Sequence, residues 1–340
     1  MGARLVILRP GAGTAVQDFG RKNFRALGVP LSGALDTMLL AAANALAGAP
    51  DDAAGLEILL AAPDLRVERG PLRIGLAGDL SGVLTRAGGA RETVSSWRGL
   101  VLREGDCLAL KLGRGPACLG FSGGLDIPPV LGSRATFSRG RFGGIEGRAL
   151  LAGDVLACAT AAGGAVAAAP LTDAPGPIRF IPGPQADHFA PEAVQIFLSA
   201  EWRVGADSDR MGIRLGGPRL VHTPLGASIV SDGATPGAIQ VPGDGQPIVL
   251  RADCQTSGGY AKIGCVISAD LPRLAHAAPG DPLTFTPVDH AEAAEARKKA
   301  RDSFAQWRGR IGRGQIAALG EWDAEKLWSE NLISGATSGE

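Results

Sequence analysis

Ser228-Ile229-Val230-Ser231-Asp232-Gly233, Gly237-Ala238-Ile239-Gln240-Val241-Pro242, Gln246-Pro247-Ile248-Val249-Leu250 and Asp253-Cys254-Gln255-Thr256-Ser257-Gly258-Gly259-Tyr260-Ala261-Lys262-Ile263-Gly264 follow one another between Ser228 and Ser268. Short β-branched runs alternate here with clusters of Gly, Pro, Ser and Asp, the pattern of strands joined by tight turns. The same span concentrates polar chemistry. Gln240, Gln246, Asp253, Gln255, Thr256 and Lys262 bring amide, carboxylate, hydroxyl and ammonium groups beside Gly258-Gly259, whose backbone can approach a ligand closely. Each polar residue taken singly fits a solvated turn as well as a site. The cluster as a whole reads as a binding loop on a rigid scaffold, with Tyr260, the single tyrosine of the chain, inside it.

Composition agrees with a mainly β chain. The 340 residues include 50 Gly and 23 Pro, spread without a repeat, which suits many short strands and turns better than a helical bundle. The length accommodates two domains. Zero formal net charge, with 20% charged residues, gives no bias toward nucleic acid or an anionic membrane surface. Five cysteines without a Cys-x-x-Cys pair read as buried thiols of a reduced, cytoplasmic protein. The apolar run Leu5 to Leu8 is too short for a signal sequence. The uncharged Val155 to Leu171, rich in Ala and Gly, reads as a linker or edge strand rather than a membrane span.

Outward from the central stretch, Leu5 to Leu8 reads as a strand, and Gln17-Asp18-Phe19-Gly20-Arg21 as either a ligand clamp or a loop tied by an Asp18 to Arg21 ion pair. Pro30 to Asp36 leads into a helix with Ser32 or Asp36 as its cap, Leu35, Leu39, Ala42 and Leu46 on one face, and Gly48 past its end. Asn44 and Glu57 beside it read as structural. Strands follow at Leu65 to Val67, Leu72 to Ala77, Ser81 to Thr85, Val94 to Trp97, Leu100 to Leu102, Cys107 to Leu112 and Ala117 to Phe121. Gly105-Asp106, Gly153-Asp154 and Gly280-Asp281 each place a turn before an extended run.

The Arg- and Gly-rich region from Leu131 to Arg148 resembles phosphate recognition only superficially. None of the six lysines follows a glycine, so the Gly-x-x-x-x-Gly-Lys loop is absent. A second domain begins near Ile178, with a helix near Pro191 to Ser199. His188 beside Asp187 is a simple loop histidine or, with less support, a general base. A faint echo between Ser32 to Leu65 and Ser208 to Leu220 suggests two copies of one β-rich unit. His290 to Trp328 reads as one or two helices broken at Gly312 and Gly314, an appended arm, followed by a frayed end from Ser334.

Several of these stretches, in order, resemble one family: Gln17 to Arg21, Gly28-Val29-Pro30-Leu31-Ser32-Gly33-Ala34-Leu35-Asp36, Ser208-Asp209-Arg210-Met211-Gly212-Ile213-Arg214-Leu215, Gly237 to Pro242 and Gln255 to Ile263. They are similar to the signatures of allophanate hydrolase subunit 2, a family that includes the Kip-antagonist type, the C subunit of the ATP-dependent 5-oxoprolinase and half of the urea carboxylase carboxyltransferase domain. The resemblance implies duplicated cyclophilin-like β-barrels at 1–172 and 173–289, a few short helices and a helical tail over 290–340. It implies a polypeptide that works with subunits A and B to open 5-oxo-L-proline to L-glutamate: the lactam oxygen is phosphorylated, water attacks and the ring collapses. ATP would be bound mainly outside this chain, and no metal is implied.

By motif, Lys262, Gln255, Asp253 and Tyr260 are the implied catalytic residues, with Lys262 suited to a substrate carboxylate or to charge developing on oxygen. Gln240, Arg210, Arg214, Gln17, Asp18, Arg21, Ser32, Asp36, Gly258 and Gly259 are the implied substrate contacts. The expectation is that the segments around Lys262 and Arg21 meet at the rim of one groove for a small acid or amide. Departures from the family pattern are Ala261, Gly264 and His276. The alternatives are a carboxyltransferase served by biotin on another chain, since no Met-Lys-Met attachment motif occurs here, and a non-catalytic regulator of a kinase-inhibitor-like B subunit.

Overall fold

The computed structural model describes residues 2–161, 163–171 and 175–311. Ala3–Arg9 buries Ala3, Leu5 and Ile7 and exposes Arg4, the period of two that a half-buried strand requires. The strands between residues 3 and 167 join one ten-stranded sheet. Its path runs Val166–Ala167, Arg98–Leu102, Leu72–Thr85, Cys107–Phe121, Asp64–Arg69, Ala3–Arg9, Val155–Cys158. The stretch 155–171 thus supplies both ends of that path, which bears out the edge-strand reading.

Leu72–Thr85 and Cys107–Phe121 are single strands of 14 and 15 residues, where the sequence reading divides each in two. The reason is a bulge. Gly78, at φ 100°, shifts the ladder from Gly78 opposite Ala117 to Leu80 opposite Leu112, so the glycines that suggest turns bend a continuous pair instead.

Eight of the ten strands between residues 178 and 287 form one sheet. Pro282–Leu283 and Phe285–Pro287 occupy its two ends yet are separated by Thr284 alone, so one extended segment closes this sheet into a barrel. Phe180, Phe197, Trp202 and Phe285 fill it, with the Phe197 and Phe285 rings stacked at 4.8 Å. A separate two-stranded ribbon, Ser228–Gly233 with Ser257–Tyr260, stands off this barrel.

Among the described residues four α-helices accompany the sheets. Helix α1 (Thr37–Ala47) lays Leu39, Leu40, Ala43 and Leu46 on the first sheet and ends at Gly48, φ 76°. Asp36 is its cap, accepting from the Leu39 N–H at 2.9 Å. Ser32 is not; it is buried at φ 53° four residues earlier. Helix α2 spans Pro191–Ser199, as its sequence suggests, and α3 spans Leu271–Ala275.

Helix α4 (His290–Arg308) starts with a capping box between Asp289 and Glu292. It is no free arm. Phe304 and Trp307 pack back among the residues of α1, and Trp307 meets Trp97 edge-on at 6.1 Å. The Trp307 indole N–H donates to the Ala169 carbonyl at 2.7 Å. The sequence pattern shows a polar helix with sparse apolar positions, which hides that one aromatic end is anchored. The break at Gly312 and Gly314, the helix reaching Trp328 and the end from Ser334 lie outside the described residues.

The three Gly-Asp turns share one construction. Gly105, Gly153 and Gly280 have φ of 84°, 90° and 88°, where a Cβ would be strained. Each following Asp accepts the backbone N–H three residues back, from Arg103, Leu151 and Ala278, at 2.9, 2.7 and 2.9 Å. Each also pairs with an arginine: Asp106 with Arg86, Asp154 with Arg148 and Asp281 with Arg114. The last pair ties the second barrel to the first.

Candidate functional site

Lys262 opens the strand Lys262–Val266 and lies opposite Gln240 in the ladder, so two polar side chains meet where an apolar barrel strand ends. The Lys262 side chain is buried, and its Nζ donates to Asp232 Oδ2 at 2.9 Å. Asp232 belongs to the ribbon and is half exposed. Its carboxyl is held below the ordinary range by the Lys262 hydrogen bond first and by the Gly233 N–H next. Gln185 lies beside this pair, its Oε1 accepting the Lys262 backbone N–H at 3.2 Å.

Gln255 closes the other side, its Nε2 donating to Gln240 Oε1 at 3.4 Å. The Gln240 Nε2 is buried with no partner. A Cβ on Gly258 would lie 2.4 Å from that nitrogen, so any larger residue there would displace the Gln240 amide. Gly259 and Tyr260 continue the ribbon, with Tyr260 exposed. A buried ammonium and an unsatisfied amide donor within one cluster are matched to an oxygen-rich group, either a carboxylate or a carbonyl oxygen gaining charge.

Asp253 belongs to a second, adjoining cluster. Arg210 donates to it through Nε at 2.8 Å and Nη2 at 3.1 Å, and through Nη1 to Glu57 of the first sheet. The Gly33 carbonyl accepts from Arg210 Nη2 at 2.6 Å. Burial lowers the affinity of Arg210 for its proton, but the charges of Glu57 and Asp253 outweigh this and hold it above its ordinary value. Burial pushes the Glu57 carboxyl upward against the pull of Arg210. This network pins the loop after Leu250, and with it Gln255, to the first half of the chain. Ser32 adds a main-chain tie, its N–H donating to the Ala252 carbonyl at 2.9 Å.

Other expected site residues are placed elsewhere. Gln17, Asp18 and Arg21 form no open clamp. Asp18 accepts from Ser133 Oγ and the Arg134 N–H, both at 2.6 Å, Gln17 donates to the Thr136 carbonyl, and Arg21 donates to the carbonyls of Val130 and Ala135 over the Phe142 ring. Arg21 is fully buried and reaches no groove rim, so the shared rim with Lys262 is corrected. The 131–148 loop turns inward because its carbonyls need donors, and these residues supply them. Arg214 is exposed on its strand, while Arg210, before that strand, is tied up by Asp253 and Glu57.

Asp36 caps α1 and meets His276 Nε2 at 3.0 Å. His188 Nδ1 lies 2.7 Å from the Gly226 carbonyl, the loop-histidine outcome. Gln246 clips both backbone groups of Gly217. Sequence reasoning reads Glu57 as structural and passes over Asp232 and Gln185. Asp232 is legible only as a turn residue, and no local signal places Gln185, 77 residues away, against Lys262. Among the described residues no group of three or more His, Cys, Asp or Glu is placed to hold a metal ion. No helix among them is long and apolar enough to cross a membrane.

The family model described as "Carboxyltransferase domain, subdomain A and B" matches residues 27–287, which include both clusters. The chain belongs to that carboxyltransferase domain family. Family members similar to it include the 5-oxoprolinase C subunit of Escherichia coli, 37% identical over 89% of this chain and 98% of that protein. That of Haemophilus influenzae is 34% identical over 84% and 91%. Among solved structures, the Kluyveromyces lactis urea carboxylase superposes with a TM-score of 0.79 at 28% identity, covering 90% of this chain and 29% of that one. The K. lactis urea amidolyase gives 0.81 at 29% identity, covering 90% and 20%. These overlays agree with the mainly β architecture.

Proposed function

We propose that this chain is the C subunit of an ATP-dependent 5-oxoprolinase that opens 5-oxo-L-proline to L-glutamate together with subunits A and B. The observation that carries this reading is the near full-length match to two C subunits, joined to a cluster whose donors suit a small acid. Lys262 and the unpaired Gln240 amide receive the substrate carboxylate or the oxygen on which charge develops, and Gln255 holds Gln240 in place. Arg210, Glu57 and Asp253 position the loop that carries Gln255. ATP is bound mainly outside this chain, a reading supported by the lack of a lysine-bearing phosphate loop in its sequence. Five unpaired cysteines support the cytoplasm as its compartment.

The test is reconstitution. A mixture of the three subunits should hydrolyse ATP in a 5-oxoproline-dependent manner, and omission of this chain alone should abolish that dependence. Full coupling without it overturns the reading. The overlays on urea carboxylase and urea amidolyase favour a second reading, carboxyl transfer from biotin on another chain. It predicts decarboxylation of added carboxybiotin by this chain with its partner and no stimulation of ATP hydrolysis by 5-oxoproline.

A further inference from the structure

Between α1, α3 and α4 lies a cavity of about 660 Å³ that neither cluster above touches. Both halves of the chain line it, and one wall is α4, which lies beyond residue 287, where the family match ends. Its volume is that of a site for a small organic molecule rather than a packing gap.

The walls divide by chemistry. Met38, Leu39, Trp97 and Phe304 make an apolar face. Trp97 holds φ 62°, a left-handed conformation that bulky residues rarely adopt and that concentrates at ligand clamps. Its N–H donates to the Leu76 carbonyl at 2.7 Å and its carbonyl accepts from Ala168 at 3.0 Å, so the ring is presented by a fixed backbone. Facing it, Arg179 and Arg273 share one buried carboxylate, Asp270, at 2.6 and 3.4 Å. Lys299 on α4 has no carboxylate partner among the described residues. The other two carboxylates of the lining are already engaged: Asp36 by Leu39 and His276, and Asp79 by the Arg114 N–H. Arg273 also donates to the Pro177 and Gly176 carbonyls, and Arg114 pairs with Asp281, so Lys299 is the cation of the lining left without a carboxylate among the described residues.

We propose that this cavity is a second small-molecule site, taking a monoanion with a flat apolar body, such as an aryl-substituted carboxylate. The ring lies against Trp97 and Phe304, and the anion lies toward Lys299. The site is independent of the Lys262 cluster and of the reaction proposed there.

Calorimetric titration of the full chain with 4-phenylbutyrate tests it, beside the uncharged 4-phenylbutyramide. Saturable binding at one site is expected, with the amide at least ten-fold weaker. Lys299→Met should weaken the acid several-fold, and Lys298→Met, outside the lining, should leave it unchanged. Ala300→Trp, which fills the cavity from α4, should abolish binding. Ser303→Trp makes the same test should that variant fail to fold. Absence of saturable binding, equal affinity for acid and amide, or binding that survives a filled cavity overturns the proposal.

Discussion

Arg210 and Asp253 form a bidentate pair, Nε to Oδ2 at 2.8 Å and Nη2 to Oδ1 at 3.1 Å, and the remaining guanidinium nitrogen crosses to Glu57 in the other sheet. The pair lies largely buried at the seam between the halves, where one cation serves two carboxylates. The carboxyl of Glu57 is raised, which means that burial costs its charged form more than Arg210 returns.

That imbalance separates two substitutions. Glu57→Gln keeps an acceptor for the Leu35 N–H and removes a costly charge, so its effect on stability should stay below about 1 kcal/mol. Arg210→Met leaves two buried carboxylates without a counter-charge and should cost about 3–5 kcal/mol. Denaturant unfolding of both variants measures the difference, and equal losses would contradict this reading of the seam.

The Gly-Asp turns predict how the fold meets acid. Asp154 is lowered by the Arg148 hydrogen bond first. Asp281 is lowered by the Ala278 N–H first. For Asp106 burial acts upward and is outweighed by Arg103, Arg86 and Ala87. A carboxyl lowered by folding adds stability above its unfolded value, near 3.9 for Asp, which is lost as pH falls through the folded value. Asp106→Asn should cost about 1–3 kcal/mol near neutral pH and progressively less as pH falls below the unfolded value. Unfolding free energies across pH 2–7 read both ends.

Helix α4 is expected to stabilise the fold through its far end. Trp307→Ala removes the Trp97 contact and the bond to Ala169, and should cost about 3 kcal/mol. Hydrogen exchange should then quicken along α4 while the second barrel keeps its protection.

Much of this fold is written locally. The alternation around Ile239 and Val249, the cap at Asp36 and the proline start of α2 each depend on neighbours within a few residues, and they are legible as such. What cannot be read depends on long-range partners. Arg21 looks like a clamp in sequence because nothing local reveals the carbonyls of Val130 and Ala135, more than 100 residues away. Glu57 looks inert for the same reason, since its partner Arg210 stands 153 residues on. Lys262 and Gln240 are identifiable as polar residues ending strands, but their pairing follows only from register.

Gly258 gives a narrow test of the Lys262 cluster. Gly258→Ala drives a methyl against Gln240 Nε2 without requiring a positive φ, so the chain should fold with a loss of about 1 kcal/mol or less. Turnover by the reconstituted complex should fall at least ten-fold as the amide is displaced. Unaltered turnover would show that the Gln240 amide takes no part.

The central claim is that the donors around Lys262 act on the substrate. The most direct measurement is 5-oxoproline-dependent ATP hydrolysis by the three-subunit complex carrying Lys262→Ala or Gln255→Ala, with assembly checked by co-elution. A fall of about 100-fold or more for Lys262→Ala and a smaller fall for Gln255→Ala, in intact complexes, is the predicted result. Full turnover by both variants would contradict it.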